Sequence, residues 1–273
     1  MTLKDAIELL RESGISSAAS DARELFRHFD KRDIGYLLLN PELTASEECE
    51  AAVRRRAKRE PLQYIIGEVA FYNELYEVTP DCLIPRSDTE ILVEYATKNI
   101  PEGESFCDIC TGSGCIAVST LKNTVGTTAH GIDISEGALA LARKNAEKNG
   151  VSERLLLSKT DILTDKTVEF LGGTFFAVLA NPPYIREEVY ATLEPELFLE
   201  PKIALVAENG GAIFYERLVP LGLLLIKKGG FVALEIGYDQ GELLRSLAAE
   251  HGADIEILKD YSNNDRVAVL RRR

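Results

Sequence analysis

The 273-residue sequence predicts an α/β fold: a doubly wound, mainly parallel sheet preceded by a small N-terminal helical domain and a β-hairpin linker. Three observations carry that prediction. From residue 104 onward, short apolar runs alternate with stretches of helical length, the rhythm of β-α-β units. A glycine turn, "TGSG" at 111–114, joins the first of those strands to a helix. Over the first sixty residues, helix-start signals recur in series.

Taken in order, Thr2 precedes "LKDAIELL", Ser20 precedes "DARELFRHF", and Thr44 stands three residues ahead of Glu47 with capping-box spacing. These helices stop before Pro61 and define a domain over residues 1–60, which carries no catalytic constellation. Residues 61–85 form the linker, where "GEVAFYNELYEV" places β-branched and aromatic residues on both sides of an Asn73-Glu74 turn. A helix opens at residue 88, because Ser87 and Glu90 repeat the capping-box spacing. The large domain runs from 86 to 273. Its strands are expected at 105–110, 128–134, 154–158, 175–180 and 231–236, and its helices near 115–122, 136–149, 211–227 and 239–251.

Composition narrows the function classes. With 31 basic and 44 acidic side chains the net charge is −13, which disfavours adhesion to nucleic acid or anionic lipid. The basic run "RRRAKR" at 54–59 reads as a solvated helix face. No apolar stretch follows a basic start, and the longest aliphatic run, "LGLLLI" at 221–226, is far shorter than the roughly 20 residues of a membrane helix. A cytoplasmic location with no membrane partner is expected. Five cysteines without a secretion signal argue for reduced thiols. Cys107 and Cys110 have C-x-x-C spacing, but they sit in a strand pattern without a second pair, so they read as packed thiols and no metal site is expected.

In doubly wound sheets, ligands lie beyond the carboxyl ends of the strands. At the first exit Gly112, Gly114 and Ala117 have the G-x-G-x-x-A spacing of a nucleotide loop. Asp133 follows about twenty residues later, where a carboxylate accepts from ribose hydroxyls; its alternative reading is a helix cap beside Ser135. Asp161, at the third exit, is either an acceptor for an adenine amino group or a turn residue. The fourth exit is "NPPY", Asn181 to Tyr184. Its prolines end the strand rigidly and leave carbonyls without companion N–H groups beside one side-chain amide and one ring. That set suits a hydrogen-bond donor, and in particular a planar amino group. Nicotinamide dinucleotide and S-adenosylmethionine both carry adenosine, but hydride transfer calls for a general acid or base that "NPPY" lacks. Methyl transfer to an amide nitrogen needs positioning rather than a strong base. The alternative for "NPPY" is a rigid turn with Tyr184 packed into a wall.

The combination of "DICTGSG", "GIDIS", "NPPYI" and "FLEPKIALVAENGG" resembles the release factor glutamine methyltransferases. The likeness extends over nearly the whole chain through "PLQYIIGEVAFY", "LIPRSDTE", "LEIGYDQGE" and "DRVAV". It implies a seven-stranded, Rossmann-like class I methyltransferase domain. The implied reaction moves a methyl group from S-adenosylmethionine, leaving S-adenosylhomocysteine, to the glutamine amide of the Gly-Gly-Gln motif in peptide-chain release factors. Carried across by motif, Cys110, Thr111, Gly112, Ser113 and Gly114 form the cofactor loop, with Asp133 at the ribose, Asp161 and Ile162 near the adenine, and Asn181 beside the cofactor. Asn181, Pro182, Pro183 and Tyr184 would hold the glutamine, and Asn181, Pro182 and Tyr184 would act in the reaction. A monomer whose residues 1–60 dock the protein substrate is expected. Cys110 stands where the family usually has glycine, and Ser87 where proline is common. The rival readings are a ribosomal-protein glutamine methyltransferase, an adenine-specific DNA methyltransferase, an NAD-dependent oxidoreductase and a non-catalytic adenosine-binding adaptor.

Overall fold

The computed structural model describes residues 1–164, 171 and 173–273, which fall into two compact units. The first comprises Met1–Glu68 with Glu194–Leu199, and the second Val69–Leu193 with Glu200–Arg273.

The first unit holds five α-helices, α1 (Leu3–Glu12), α2 (Ala18–Phe29), α3 (Ile34–Leu39), α4 (Glu47–Ala57) and α5 (Leu62–Ile66), and a 3-10 helix at Pro195–Leu199. Thr2 caps α1 as the spacing predicts, and Asp5 completes the box reciprocally with Thr2. Two other expected caps lie elsewhere. α2 begins after Ser17, so Ser20 is inside its first turn, where Ala18, Ala22 and Leu25 share the buried face. α4 is capped by Ser46, whose hydroxyl accepts from Cys49 N at 3.2 Å, while Thr44 instead bridges Thr2 along the backbone. The short α5 occupies the start of the linker span, ahead of the hairpin residues.

The basic run also departs from expectation. Arg54 and Arg55 are exposed and pair with Glu50 and Glu60, but Arg56 is only 6% exposed. Helical period is the reason: 49, 52, 53 and 56 fall on one face, and Cys49, Ala52 and Val53 are core residues. Arg56 Nε meets Asp21 at 2.8 Å and its Nη1 meets Glu196 at 2.9 Å, so the buried charge is paired twice.

In the hairpin, β1 (Glu68–Phe71) pairs with β2 (Glu74–Glu77), and the turn falls on Tyr72-Asn73, one residue earlier than expected. Tyr72 takes the positive φ of +58° that this turn needs. A 3-10 turn at Ser87–Thr89 precedes α6 (Glu90–Asn99). The Ser87 capping box is absent there; the Glu90 carboxylate accepts from Tyr72 N at 2.8 Å instead.

The large sheet contains β3 (Ser105–Ile109), β4 (Thr128–Asp133), β5 (Leu155–Lys159), β6 (Phe175–Ala180), β7 (Ile226–Glu235), β8 (Ala253–Lys259) and β9 (Asp265–Arg272). Their spatial order is β5-β4-β3-β6-β7-β9-β8; the first five run parallel and β9 is antiparallel to both β7 and β8. The chain therefore switches sides between β3 and β6, the place where open α/β sheets bind ligands. β8 and β9 were not among the expected strands. β7 also starts five residues early, because Ile226 pairs with Phe175 where the preceding helix was expected to continue.

Around the sheet lie α7 (Cys115–Lys122), α8 (Glu136–Lys148), α9 (Glu187–Tyr190), α10 (Ile213–Leu225) and α11 (Gly241–Glu250). Alternate strand residues feed two apolar clusters. Cys107, Ile109, Val178, Val232 and Leu234 pack with Leu218 and Leu244, whereas Phe106, Ala177, Leu179, Phe231 and Ala233 pack with Leu92, Val93 and Val118. Burial on both faces explains why these strands are continuously apolar. Among the described residues, no helix is long and apolar enough to cross a membrane, no cluster of three or more ligating side chains could hold a metal, and all five cysteines are free.

Candidate active site

The parallel register aligns the strand exits. Ile109 sits opposite both Ile132 and Ala180, and Asp133 sits opposite Lys159. Residues following these positions converge on a cavity of about 330 Å³ in the second unit. That volume is within the usual range for small-molecule sites.

The first wall is the turn after β3. Asp108, fully buried at the strand end, accepts from the Thr111 hydroxyl at 2.5 Å and from Ala117 N at 3.2 Å, tying the loop to the helix that follows. Burial raises its carboxyl to about 7. Cys110 adopts φ +60° and Gly112 φ +54°. A Cβ on Gly112 would meet nothing nearer than Cys110 O at 4.0 Å, so the loop backbone is open to close approach. Gly114 has a different reason: at φ +79° its Cβ would come within 3.0 Å of Ala142 Cβ on α8. Burial pushes the Cys110 thiol upward, and that of Cys115 to about 12, so neither is a thiolate nucleophile.

Asp133 ends β4. Its Oδ2 accepts from Gly112 N and its Oδ1 from Ser135 N, both at 2.9 Å. The cap of α8 is Ser135 itself, whose hydroxyl accepts from Ala138 N at 3.2 Å. Each carboxylate oxygen has a second lone pair, so Asp133 retains acceptor capacity on the cavity wall. Burial raises its pKa while the backbone donors lower it. Asp161 closes a turn, accepting from Leu163 N at 2.9 Å, and also lines the cavity beside Ile162.

β6 delivers Asn181 and Pro183 to the same cavity. Asn181 donates from Nδ2 to Thr89 Oγ1 at 3.2 Å, and no described residue donates to its Oδ1. Thr89 in turn donates to Glu235 Oε2 at 2.6 Å. Tyr184 is half-buried against the cluster of α10 and α11, and its hydroxyl donates to Glu235 Oε1 at 3.4 Å. Burial first of all lifts the Glu235 carboxyl to about 7.

Of the residues the sequence singled out, Cys110, Thr111, Gly112, Ser113, Asp133, Asp161, Ile162, Asn181 and Pro183 line this cavity. Gly114, the buried Pro182 and Tyr184 adjoin it in the chain without lining it. Thr89, Arg86 and Phe214 also line it without any spacing or motif that assigns them a role, and Glu235 stands behind Thr89. Glu235 had a signal: it is the single charged residue in the apolar run "FVALEIG".

Seven strands in this order, with a glycine turn leaving β3 and an acidic residue closing β4, define a class I methyltransferase. The solved ribosomal protein L11 methylase of Lactobacillus delbrueckii subsp. bulgaricus shares this fold, with a TM-score of 0.51 and 22% identity over 72% of this chain and 84% of that one. A family model described as Methyltransferase small domain matches residues 87–214, and one described as PrmC N-terminal domain matches residues 2–67. The chain is 34% identical to the release factor glutamine methyltransferase of Chlorobaculum tepidum, covering 97% of this chain and 94% of that protein. It is 36% identical to the protein of that name in Caulobacter vibrioides, over 97% and 93%. The chain belongs to the release factor glutamine methyltransferase family.

Proposed function

We propose that this enzyme methylates the side-chain amide nitrogen of the glutamine in the Gly-Gly-Gln motif of peptide-chain release factors, with S-adenosylmethionine as methyl donor. Family membership supports the reaction. The observation that carries the reading of the site is Asn181: its amide lines the cavity with Nδ2 engaged and Oδ1 free to accept.

The cavity fits the donor. The open backbone at Gly112, the remaining lone pairs of Asp133 and the apolar Ile162 suit, respectively, close approach, ribose hydroxyls and an adenine face. When bound, S-adenosylmethionine supplies a methyl carbon made electrophilic by its sulfonium. The chain's own groups do the rest. Asn181 Oδ1, on the cavity wall, accepts one hydrogen of the substrate amide, and the carbonyl of the neighbouring Pro182, which adjoins the cavity without lining it, is the acceptor we assign to the other; together they hold the nitrogen in one orientation. Such positioning is worth roughly 7 to 11 kcal/mol in favourable cases. Both acceptors strengthen as positive charge grows on the nitrogen; the S–C bond breaks as the N–C bond forms, and the surplus N–H proton passes to solvent. Pro183 stiffens the exit so that the acceptors do not move.

The partner is a protein rather than nucleic acid, in keeping with the net charge of −13. Residues 1–60 serve as the docking domain, 61–85 as the linker and 86–273 as the catalytic domain of a cytoplasmic monomer. The test is transfer of labelled methyl from S-adenosylmethionine to a release factor, a ribosomal protein and duplex DNA offered separately. Label is expected on the release factor, and lost when its motif glutamine is replaced. Label only on the ribosomal protein or the DNA would overturn the reading.

A further inference from the structure

We infer that Thr89 and Glu235 are positioning residues for this reaction: their hydrogen-bond relay holds the Asn181 amide with Oδ1, not its NH₂ group, presented to the substrate. The inference rests on the proposed methyl transfer for its purpose, but the relay itself stands on geometry.

Three elements meet to build it. Thr89 closes the 3-10 turn before α6, Glu235 ends β7, and Asn181 follows β6. Thr89 and Glu235 are each only 2% exposed, so water does not compete for their hydrogen bonds. An ionised carboxylate has no proton to give. The 2.6 Å contact therefore commits the Thr89 proton to Glu235 Oε2, leaving Thr89 Oγ1 able only to accept. Asn181 stands 3.2 Å away and satisfies that oxygen only with its NH₂ end. Rotating the amide by half a turn would set oxygen against oxygen at Thr89. It would also turn N–H groups toward a substrate amide that itself offers N–H groups. An asparagine alone has two nearly isosteric orientations, and the relay selects the productive one. No other described contact of Asn181 makes that choice.

The test compares Thr89→Val, Thr89→Ser, Glu235→Gln and the Thr89→Val/Glu235→Gln double variant. Assays run at about pH 8, where Glu235 is ionised. Thermal unfolding and S-adenosylmethionine titration serve as controls for fold and cofactor site. Thr89→Val should lower kcat on the release factor roughly 10- to 100-fold, the range for outer partners that orient a site group, with KM nearly unchanged, while Glu235→Gln keeps an acceptor oxygen for the Thr89 hydroxyl and should lose less. Thr89→Ser should restore most of the rate, and the double variant should be no slower than Thr89→Val alone. Wild-type kcat in Thr89→Val, a Thr89→Ser variant as slow as Thr89→Val, or losses that multiply would each overturn the relay. A second readout needs no substrate. The Asn181 Nδ2 protons should exchange slowly in the wild type and in Thr89→Ser, and quickly in Thr89→Val; equal rates in all three overturn the proposal. If the wild-type enzyme labels no glutamine substrate, the functional reading fails while the exchange rates still decide the relay.

Discussion

Gly112 donates its backbone N–H to Asp133 Oδ2 across 2.9 Å, joining the glycine turn after β3 to the acidic end of β4. One carboxylate thus shapes the loop and faces the cavity. Asp133→Ala should weaken S-adenosylmethionine binding, because hydrogen bonds to a charged acceptor are worth about 1.5 to 3 kcal/mol each. Titration calorimetry should show at least a roughly tenfold rise in Kd. Unchanged affinity in a folded variant would take Asp133 out of the cofactor site.

The role proposed for Asn181 separates binding from reaction. Asn181→Ala removes the acceptor proposed for the substrate amide while leaving the Asp133 wall intact, so cofactor affinity should persist. Methyl transfer should drop by about 10² to 10³, the loss typical of one preorganised polar partner. Near-normal turnover of a release factor would reduce "NPPY" to a rigid turn.

Arg56 is a stability residue of the first unit. Replacing it with methionine keeps the apolar stem but leaves the buried Asp21 without the guanidinium that meets it at 2.8 Å, while Glu196 keeps Arg59 at 2.6 Å. Breaking such a buried arrangement from one side costs about 3 to 5 kcal/mol. Denaturant unfolding should register that loss, whereas Arg54→Met, at the exposed pair with Glu50, should leave the unfolding midpoint nearly unchanged. Equal effects of the two substitutions would contradict the burial argument.

Asp108 makes stability depend on pH. Its ordinary pKa of 3.8 applies in the unfolded chain, and burial raises it to about 7 in the native one. Between those values the native state holds a proton that the unfolded state has lost. The contribution is therefore complete below the unfolded value and declines as pH rises to about 7, by about 1 kcal/mol per unit. Asp108→Asn does not titrate, so its stability relative to wild type should improve over that window. Parallel stability curves from about pH 4 to about pH 8 would rule this out.

Deleting residues 1–60 tests partner selection. The truncated enzyme should bind S-adenosylmethionine much as before, because every residue lining the cavity lies between Asp81 and Phe214. Methylation of an intact release factor should suffer far more than that of a short Gly-Gly-Gln peptide, since contacts remote from the glutamine position it. The full-length ratio of efficiencies, retained in a soluble, cofactor-competent truncation, would move selection to the catalytic domain.

The sequence by itself determined the alternation of strands and helices, the order of the chemical groups at the strand exits and the family. Each of these rests on near neighbours: apolar period, glycine at a turn, two prolines that must end a strand. Parallel strands then bring Gly112, Asp133, Asp161 and Asn181 to one edge without further instruction. Only the tertiary structure decided the partners. Thr89 and Glu235 are 146 positions apart, and Arg56 reaches Asp21 across 35 and Glu196 across 140. Spacing says nothing about such pairs, because a buried charge or hydroxyl bonds to whatever donor or acceptor packing sets beside it. The same competition moved the caps. Ser46 and Ser17, rather than Thr44 and Ser20, precede their helices because the buried faces of α4 and α2 set where each helix begins.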